Sequence, residues 1–384
     1  MTKNKEHNIV PQRIRQARLI RGLTIQELAN KLSVTRQAVS QYELGQTAPS
    51  AAVLGEMVRI LNFPLSFFYK PIESDNLFNS DNAFFRSYAT ANKKEKEQQI
   101  QRANLLVEIY KYLSEFIEFP KVNLANLSSF DIENLNDDLI EKIAIYVRKS
   151  WKLGLGPISN VTLLVEKNGF IVTRNETNYQ EIDAFSYLLP EGRPIIFLSA
   201  DKKSAARTRL DIAHELGHIL LHQGIEKGLI NDKKIFDKIE DEAYRFATAF
   251  LLPEESFLED VISTSLDHFI FLKERWKVSI SMMIRRCKDL GVLSDSQYTY
   301  LMKQISRRKW RKKEPLDDVL EPENPVLLRR AVEKLLEEEI LTRDQLVEDL
   351  KMPIEEIESL TNLEPGTLSR RGQVIPINIR EFKK

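Results

Sequence analysis

The sequence predicts an α+β protein in three parts. These are an all-α N-terminal domain, a mainly helical middle domain with a small sheet, and a helical C-terminal region. Two observations carry this. Residues 1–70 break into five short helical segments with caps, whereas strand-like runs occur only between residues 169 and 198. The 384-residue length favours more than one domain, and 42% hydrophobic content supplies enough apolar surface for sizeable cores.

In the first domain, Pro11 opens a helix that stops at Gly22. Thr24 and Glu27 form a capping box for a second helix. Thr35 caps a third, Arg36–Glu43, ended by Gly45; Ser50 caps a fourth, and Pro64 starts a fifth turn. Residues 71–104 read as a linker running into a connecting helix. A middle domain over 105–315 follows, then an acidic helical region over 316–384. Apolar positions recur at helical spacing over 104–118 and 138–151, and strands are expected at 169–173, 184–188 and 194–198. Helices are expected at 204–222 and 238–252.

Composition excludes several classes. Basic and acidic side chains balance at 56 each, so a uniformly basic nucleic-acid binder is ruled out. Residues 1–70 nevertheless hold ten basic and four acidic groups, a local charge of +6, and a second basic cluster spans Ile305–Pro315. The single Cys287 excludes an intramolecular disulfide framework and a cysteine-based zinc module. There is no apolar signal segment at the N-terminus and no run of about 18 apolar residues. The expectation is a soluble, cytoplasmic protein with no membrane partner.

Residues 25–44 fit a helix-turn-helix. Ala29 is small where two helices meet, the turn is Leu32-Ser33-Val34-Thr35, and Leu28, Leu32, Val34, Val39 and Tyr42 form the apolar side. Thr35, Arg36, Gln37, Ser40 and Gln41 are the candidate DNA-contacting residues; glutamine suits adenine and arginine suits guanine in the major groove. The stretch from Thr24 to Ser50 resembles the XRE, lambda-repressor-like helix-turn-helix family, including its tail of Ser40, Glu43, Gly45, Pro49 and Ser50. The resemblance covers about residues 9–69 and implies a double-stranded DNA operator and a homodimer. Ile25 replaces a frequent Gln, and Ser33 a frequent turn glycine.

The sharpest motif is His214-Glu215-Leu216-Gly217-His218. Two histidines four residues apart on a helix can reach one Zn²⁺ or similar divalent ion, with Glu215 beside them as general base. Three of the five histidines fall within nine residues, flanked by apolar side chains, and buried polar groups of that kind need a partner. Gly224 stands where metzincins place a third histidine, and His222 would crowd a single helix, so it is assigned a packed, supporting role. The third protein ligand is expected from the 238–252 helix, where Glu240 and Glu242 flank the core stripe on opposite sides and spacing leaves both open.

Residues 213–222 followed by 239–253 resemble the ImmA/IrrE family of zinc metallopeptidases, and the similarity extends over about residues 84–315. The resemblance implies a zincin-like metallopeptidase fold, with Glu242 as third metal ligand beside His214 and His218, and Glu215 as catalytic residue. It also implies a bacterial or phage cytoplasmic regulator, an endopeptidase whose protein substrate is a repressor of the same helix-turn-helix type, cleaved on a signal. The competing expectation is a non-catalytic ligand or metal sensor that adjusts DNA binding; a self-cleaving repressor would need a scissile bond within 71–104. Arg207 and Arg209 are expected in surface or ion-pair roles, Tyr179, Asp183 and Tyr187 are candidates to line the cleft, and Cys287 is expected to pack in the core.

Overall fold

The computed structural model describes residues 8–72, 84–85, 93–175, 184–200, 204–223, 225 and 232–369. The N-terminal module comprises α1 (Pro11–Ile20), α2 (Ile25–Leu32), α3 (Arg36–Glu43), α4 (Ala51–Leu61) and a 3-10 turn at Leu65–Tyr69. Its caps are those the sequence predicts. Thr24 Oγ1 accepts from Glu27 N at 3.1 Å while the Glu27 carboxylate accepts from Thr24 N at 2.7 Å. Thr35 and Ser50 accept from Ala38 N and Val53 N. Ser33 takes the left-handed φ of 55°, a conformation glycine adopts at no steric cost. Ile14, Ala17, Leu28, Ala29, Val39 and Met57 are fully buried together.

Next come β1 (Phe84–Phe85), α5 (Lys93–Ser114), α6 (Asp137–Ser150) and α7 (Val161–Lys167). Strands β2 (Ile171–Asn175), β3 (Ala184–Leu188) and β4 (Pro194–Ser199) complete a four-stranded sheet of order β1-β3-β4-β2. β2 runs parallel to β4, and β3 pairs antiparallel with both β4 and β1. The helices α8 (Ala205–Leu221), α9 (Lys233–Leu251), α10 (Glu254–Asp260), α11 (Leu266–Trp276), α12 (Ile280–Asp289) and α13 (Asp295–Arg307) follow. The described chain ends with α14 (Leu327–Glu337), α15 (Arg343–Leu350) and α16 (Ile354–Thr361).

The sheet is a wall between two cores. Side chains alternate faces along a strand, and here Ile195 and Phe197 join one core while Ile196 and Leu198 join the other. The first core contains the helix-turn-helix module, α5 and α14–α16; the second contains α6–α13. Helices α15 and α16 are therefore packed against the N-terminal module and the sheet. Lys70 Nζ donates to Leu350 O, Arg21 pairs with Glu356 at 2.7 Å, and Thr173 Oγ1 on β2 donates to Leu360 O. The boundary expected between 104 and 105 falls inside the 22-residue α5. Most of the expected linker lies outside the described residues, as do Tyr179 and Asp183. Tyr187 packs into the first core.

Two buried carboxylates tie the segment before α14 to the second core. Glu323 accepts from the Val161 and Thr162 amides at the start of α7, and pairs with the buried Arg209 of α8. Arg209 thus has the expected ion-pair role. Glu166 Oε1 accepts from Val326 N and Leu327 N at the start of α14. Burial pushes its carboxyl up to about 7 against the pull of those amides and of Arg329 and Arg330.

Candidate metal centre and recognition helix

The metal-binding candidates sit where α8 crosses α9. Gly217 makes the crossing close: a Cβ there would lie 3.2 Å from both the Ala243 Cα and its carbonyl oxygen. His214, Glu215 and His218 are at most 1% exposed. His214 Nε2 lies 3.0 Å from His218 Nε2. The Glu240 carboxylate reaches both rings, 3.3 Å from His214 Nε2 and 3.2 Å from His218 Nε2. Burial raises the Glu240 pKa, but the two imidazoles outweigh it and hold the carboxyl down at about 2.

These spacings fit a divalent ion. With metal–nitrogen and metal–oxygen bonds of about 2.0–2.2 Å, the edge of a tetrahedral site is roughly 3.3 Å. The three donor–donor distances of 3.0–3.3 Å match three such edges. Among the described residues, His214, His218 and Glu240 form the one group of three so converged.

The structure does not bring Glu242, the third ligand the resemblance implies, to this point; Glu240 stands there instead. Glu242 Oε2 meets His222 Nε2 at 3.1 Å, and His222 Nδ1 in turn meets His218 Nδ1 at 3.0 Å. The reason is helical phase. Each four-residue step along α8 turns the direction by about 40°, so His222 points about 80° away from His214. Glu240 and Glu242 lie roughly 200° apart around α9, on opposite flanks of the Ala243–Phe250 stripe. The histidine pair meets one flank and His222 the other. The crossing selects between them: Glu240 is one turn before Ala243, the small residue opposite Gly217. His222 is 1% exposed and its pKa is lowered, chiefly by burial.

On the helix-turn-helix, Thr35, Arg36 and Gln37 are exposed, and Ser40 and Gln41 are half-buried one turn further on. Val39, about 200° around α3 from Gln37 and Gln41, is fully buried. Among the described residues, five of the module's cations pair with carboxylates. Arg13 and Lys70 pair with Glu108, Arg18 with Glu43, Arg21 with Glu356, and Arg59 with Glu56. Arg15, Lys31 and Arg36 are the exposed cations left over among the described residues of this module. Cys287 is fully buried, and burial pushes its thiol up to about 12, as core packing requires.

This is a helix-turn-helix module joined to a second domain built on a buried His-Glu-x-x-His helix. Comparison with known proteins places both parts. Residues 14–68 match the helix-turn-helix family model, and residues 165–288 match that of peptidase M78, the IrrE N-terminal-like domain. The chain is also similar to an uncharacterized HTH-type transcriptional regulator of Sinorhizobium medicae (strain WSM419), 35% identical over 66 residues. A second such regulator, from Rhizobium meliloti (strain 1021), matches to the same extent. Each match covers 17% of this chain and 48% of the relative, so the chain spans about half the length of the curated relatives it matches. No helix among the described residues is long and apolar enough to cross a membrane.

Proposed function

We propose that this chain is a DNA-binding transcriptional regulator whose second core houses a zinc-dependent endopeptidase. The observation that carries the reading is the convergence of His214, His218 and Glu240 at tetrahedral edge lengths, with Glu215 in the same buried turn. The two nitrogens and one carboxylate oxygen suit Zn²⁺, and three protein ligands leave a position open for substrate. A bound ion would supply Lewis-acid polarisation of a water molecule and of a peptide carbonyl.

The protein's own residues divide the remaining work. Glu215 takes the proton of the attacking water and delivers it to the leaving amine. His218 would hold the ion through Nε2, which would place its proton on Nδ1 for donation to His222 Nδ1. His222 must then carry its proton on Nε2 and donate it to Glu242, which makes Glu242 the anchor of a chain that fixes the His218 tautomer. The substrate we propose is a repressor-type protein carrying the same helix-turn-helix, cleaved on a signal. DNA is bound as a homodimer, and Arg36, Gln37, Ser40 and Gln41, on a helix N-capped by Thr35, contact the operator.

The test is Glu215→Gln in the full chain. It should keep the metal, the fold and DNA binding while stopping cleavage of a helix-turn-helix repressor in vitro and the response of an operator reporter in cells. A second reading, a metal or ligand sensor without turnover, is supported by the packed seam between the cores: Arg209 on α8 is clamped by Glu323, and Glu356 holds Arg21. Under that reading Glu215→Gln responds like the wild type and only loss of the metal ligands abolishes the response.

A further inference from the structure

Seven cationic side chains lie between residues 303 and 313: Lys303, Arg307, Arg308, Lys309, Arg311, Lys312 and Lys313. All are exposed, and no acidic residue occurs from 296 to 313. Among the described residues only Lys313 pairs with a carboxylate, Asp318, itself exposed. The segment is nevertheless held firmly. Lys309 takes a left-handed φ of 61°, and Trp310 N donates to Ile305 O at 3.0 Å. The Trp310 ring packs on the second core, with Arg308 5.0 Å above it. At its end, the buried Glu314 carboxylate accepts from the amides of Ile280 and Ser281 and from the fully buried Lys273 ammonium. The acidic end of the sequence cluster is thus drawn inside and the basic side chains are left outside.

We propose that this platform is a second contact with duplex DNA, binding its sugar-phosphate backbone without reading sequence. The inference rests on the reading that the chain binds DNA. Phosphate neutralisation supplies most non-specific affinity, yet of the eight cations described in the helix-turn-helix module five pair with carboxylates, leaving Arg15, Lys31 and Arg36 exposed. The densest exposed positive charge in the described molecule is on the metal domain instead. Six of its seven cations have no carboxylate pair among the described residues, which suits an extended, regularly spaced polyanion.

The experiment measures binding of the full chain to a long random-sequence duplex by anisotropy across a salt series. The triple variant Arg307→Gln, Lys309→Gln, Lys312→Gln removes three exposed charges. The slope of log affinity against log salt should fall by about 2.7, so that between about 50 and about 200 mM salt the wild type loses roughly 40-fold more affinity than the variant. The charge-keeping variant Arg307→Lys, Lys309→Arg, Lys312→Arg should retain the wild-type slope, which separates lost charge from lost structure. A slope unchanged by the triple variant overturns the platform while leaving DNA binding by α3 intact. A variant that loses binding to polyglutamate but keeps its DNA slope also overturns it and assigns the surface to an acidic protein. Absence of any salt-dependent binding by the wild type would remove the DNA-binding reading itself.

Discussion

Helices α3 and α8 place their candidate functional residues under opposite constraints. On α3, Arg36 and Gln37 are exposed and Val39 beneath them fills the core. On α8, His214, Glu215 and His218 are all but sealed from solvent. An exposed polar side chain answers only to its ligand, because water satisfies it when the ligand is absent. A buried one must be satisfied by the protein at all times. The α8 histidines are therefore tied to α9 by Glu240 and Glu242, and their chemistry cannot be altered without touching the packing of two helices.

The largest effects are expected where that contrast is broken at the metal. His214→Ala in the full chain should reduce metal content from about one ion per chain to none and lower the thermal midpoint, since metal binding and folding are linked. Elemental analysis and a melting curve check both. Glu240→Gln should also empty the centre, whereas Glu242→Gln should weaken metal binding by only about 10–100-fold, as loss of a supporting partner does. A chelator competition distinguishes the two. If Glu242→Gln empties the centre and Glu240→Gln leaves it filled, the pairing between α8 and α9 described above is wrong.

The same contrast explains what could be read from sequence. The helix-turn-helix was legible almost residue by residue because its signals are local: Thr24 with Glu27, Thr35, Ser50 and the turn at Ser33 all act within a few positions. The helical clustering of His214, Glu215 and His218 was legible for the same reason, since the three lie along one side of one helix. The acidic partner was not, because it depends on how two helices cross, and Glu240 and Glu242 look alike until Gly217 is set against Ala243. The use of Arg13, Arg18 and Arg21 in ion pairs was likewise invisible, since their partners Glu108, Glu43 and Glu356 are 25 to 335 residues away. A charge count over 70 residues reports neighbours in sequence, while the potential at the surface depends on neighbours in space. The packing of α14–α16 against the first module belongs to the same class of long-range fact.

The seam between the two cores offers a test of intermediate size. Glu166 Oε2 is buried without a hydrogen-bond partner among the described residues, while Oε1 takes two amides of α14. Its carboxyl is raised from 4.5 to about 7. The native state therefore keeps this proton between about pH 4.5 and 7, where the unfolded chain has lost it. By linkage, the stabilisation from Glu166 is fully present below about pH 4.5, declines as pH rises and is gone above about 7. The shift sets an upper limit on the order of 3 kcal/mol. Denaturant titrations across that window should show Glu166→Gln, which resembles the protonated form, with a flatter pH profile than the wild type. Parallel profiles would mean that the seam does not hold a proton there.

The smallest change in the protein is expected from the exposed side of the comparison, and that asymmetry sharpens it. Gln37→Ala removes an exposed side chain at the second position of α3 and leaves the Thr35 cap and Val39 in place. Alanine has the higher helix propensity, so stability should move by no more than about 0.5 kcal/mol. Its effect should appear only against DNA: about 1–3 kcal/mol of discrimination at one base pair if the glutamine makes a bidentate contact, with the salt dependence unchanged because no charge is lost. Gln41→Ala should behave similarly at a neighbouring base pair, with a larger stability cost because its side chain is half-buried. Selection of binding sites from a random pool, with melting curves on the same variants, measures both quantities. A Gln37→Ala protein that melts markedly lower while its base preference stays intact would show that α3 is a structural helix here, and the division between an exposed reading surface and a buried chemical one would fail on its exposed side.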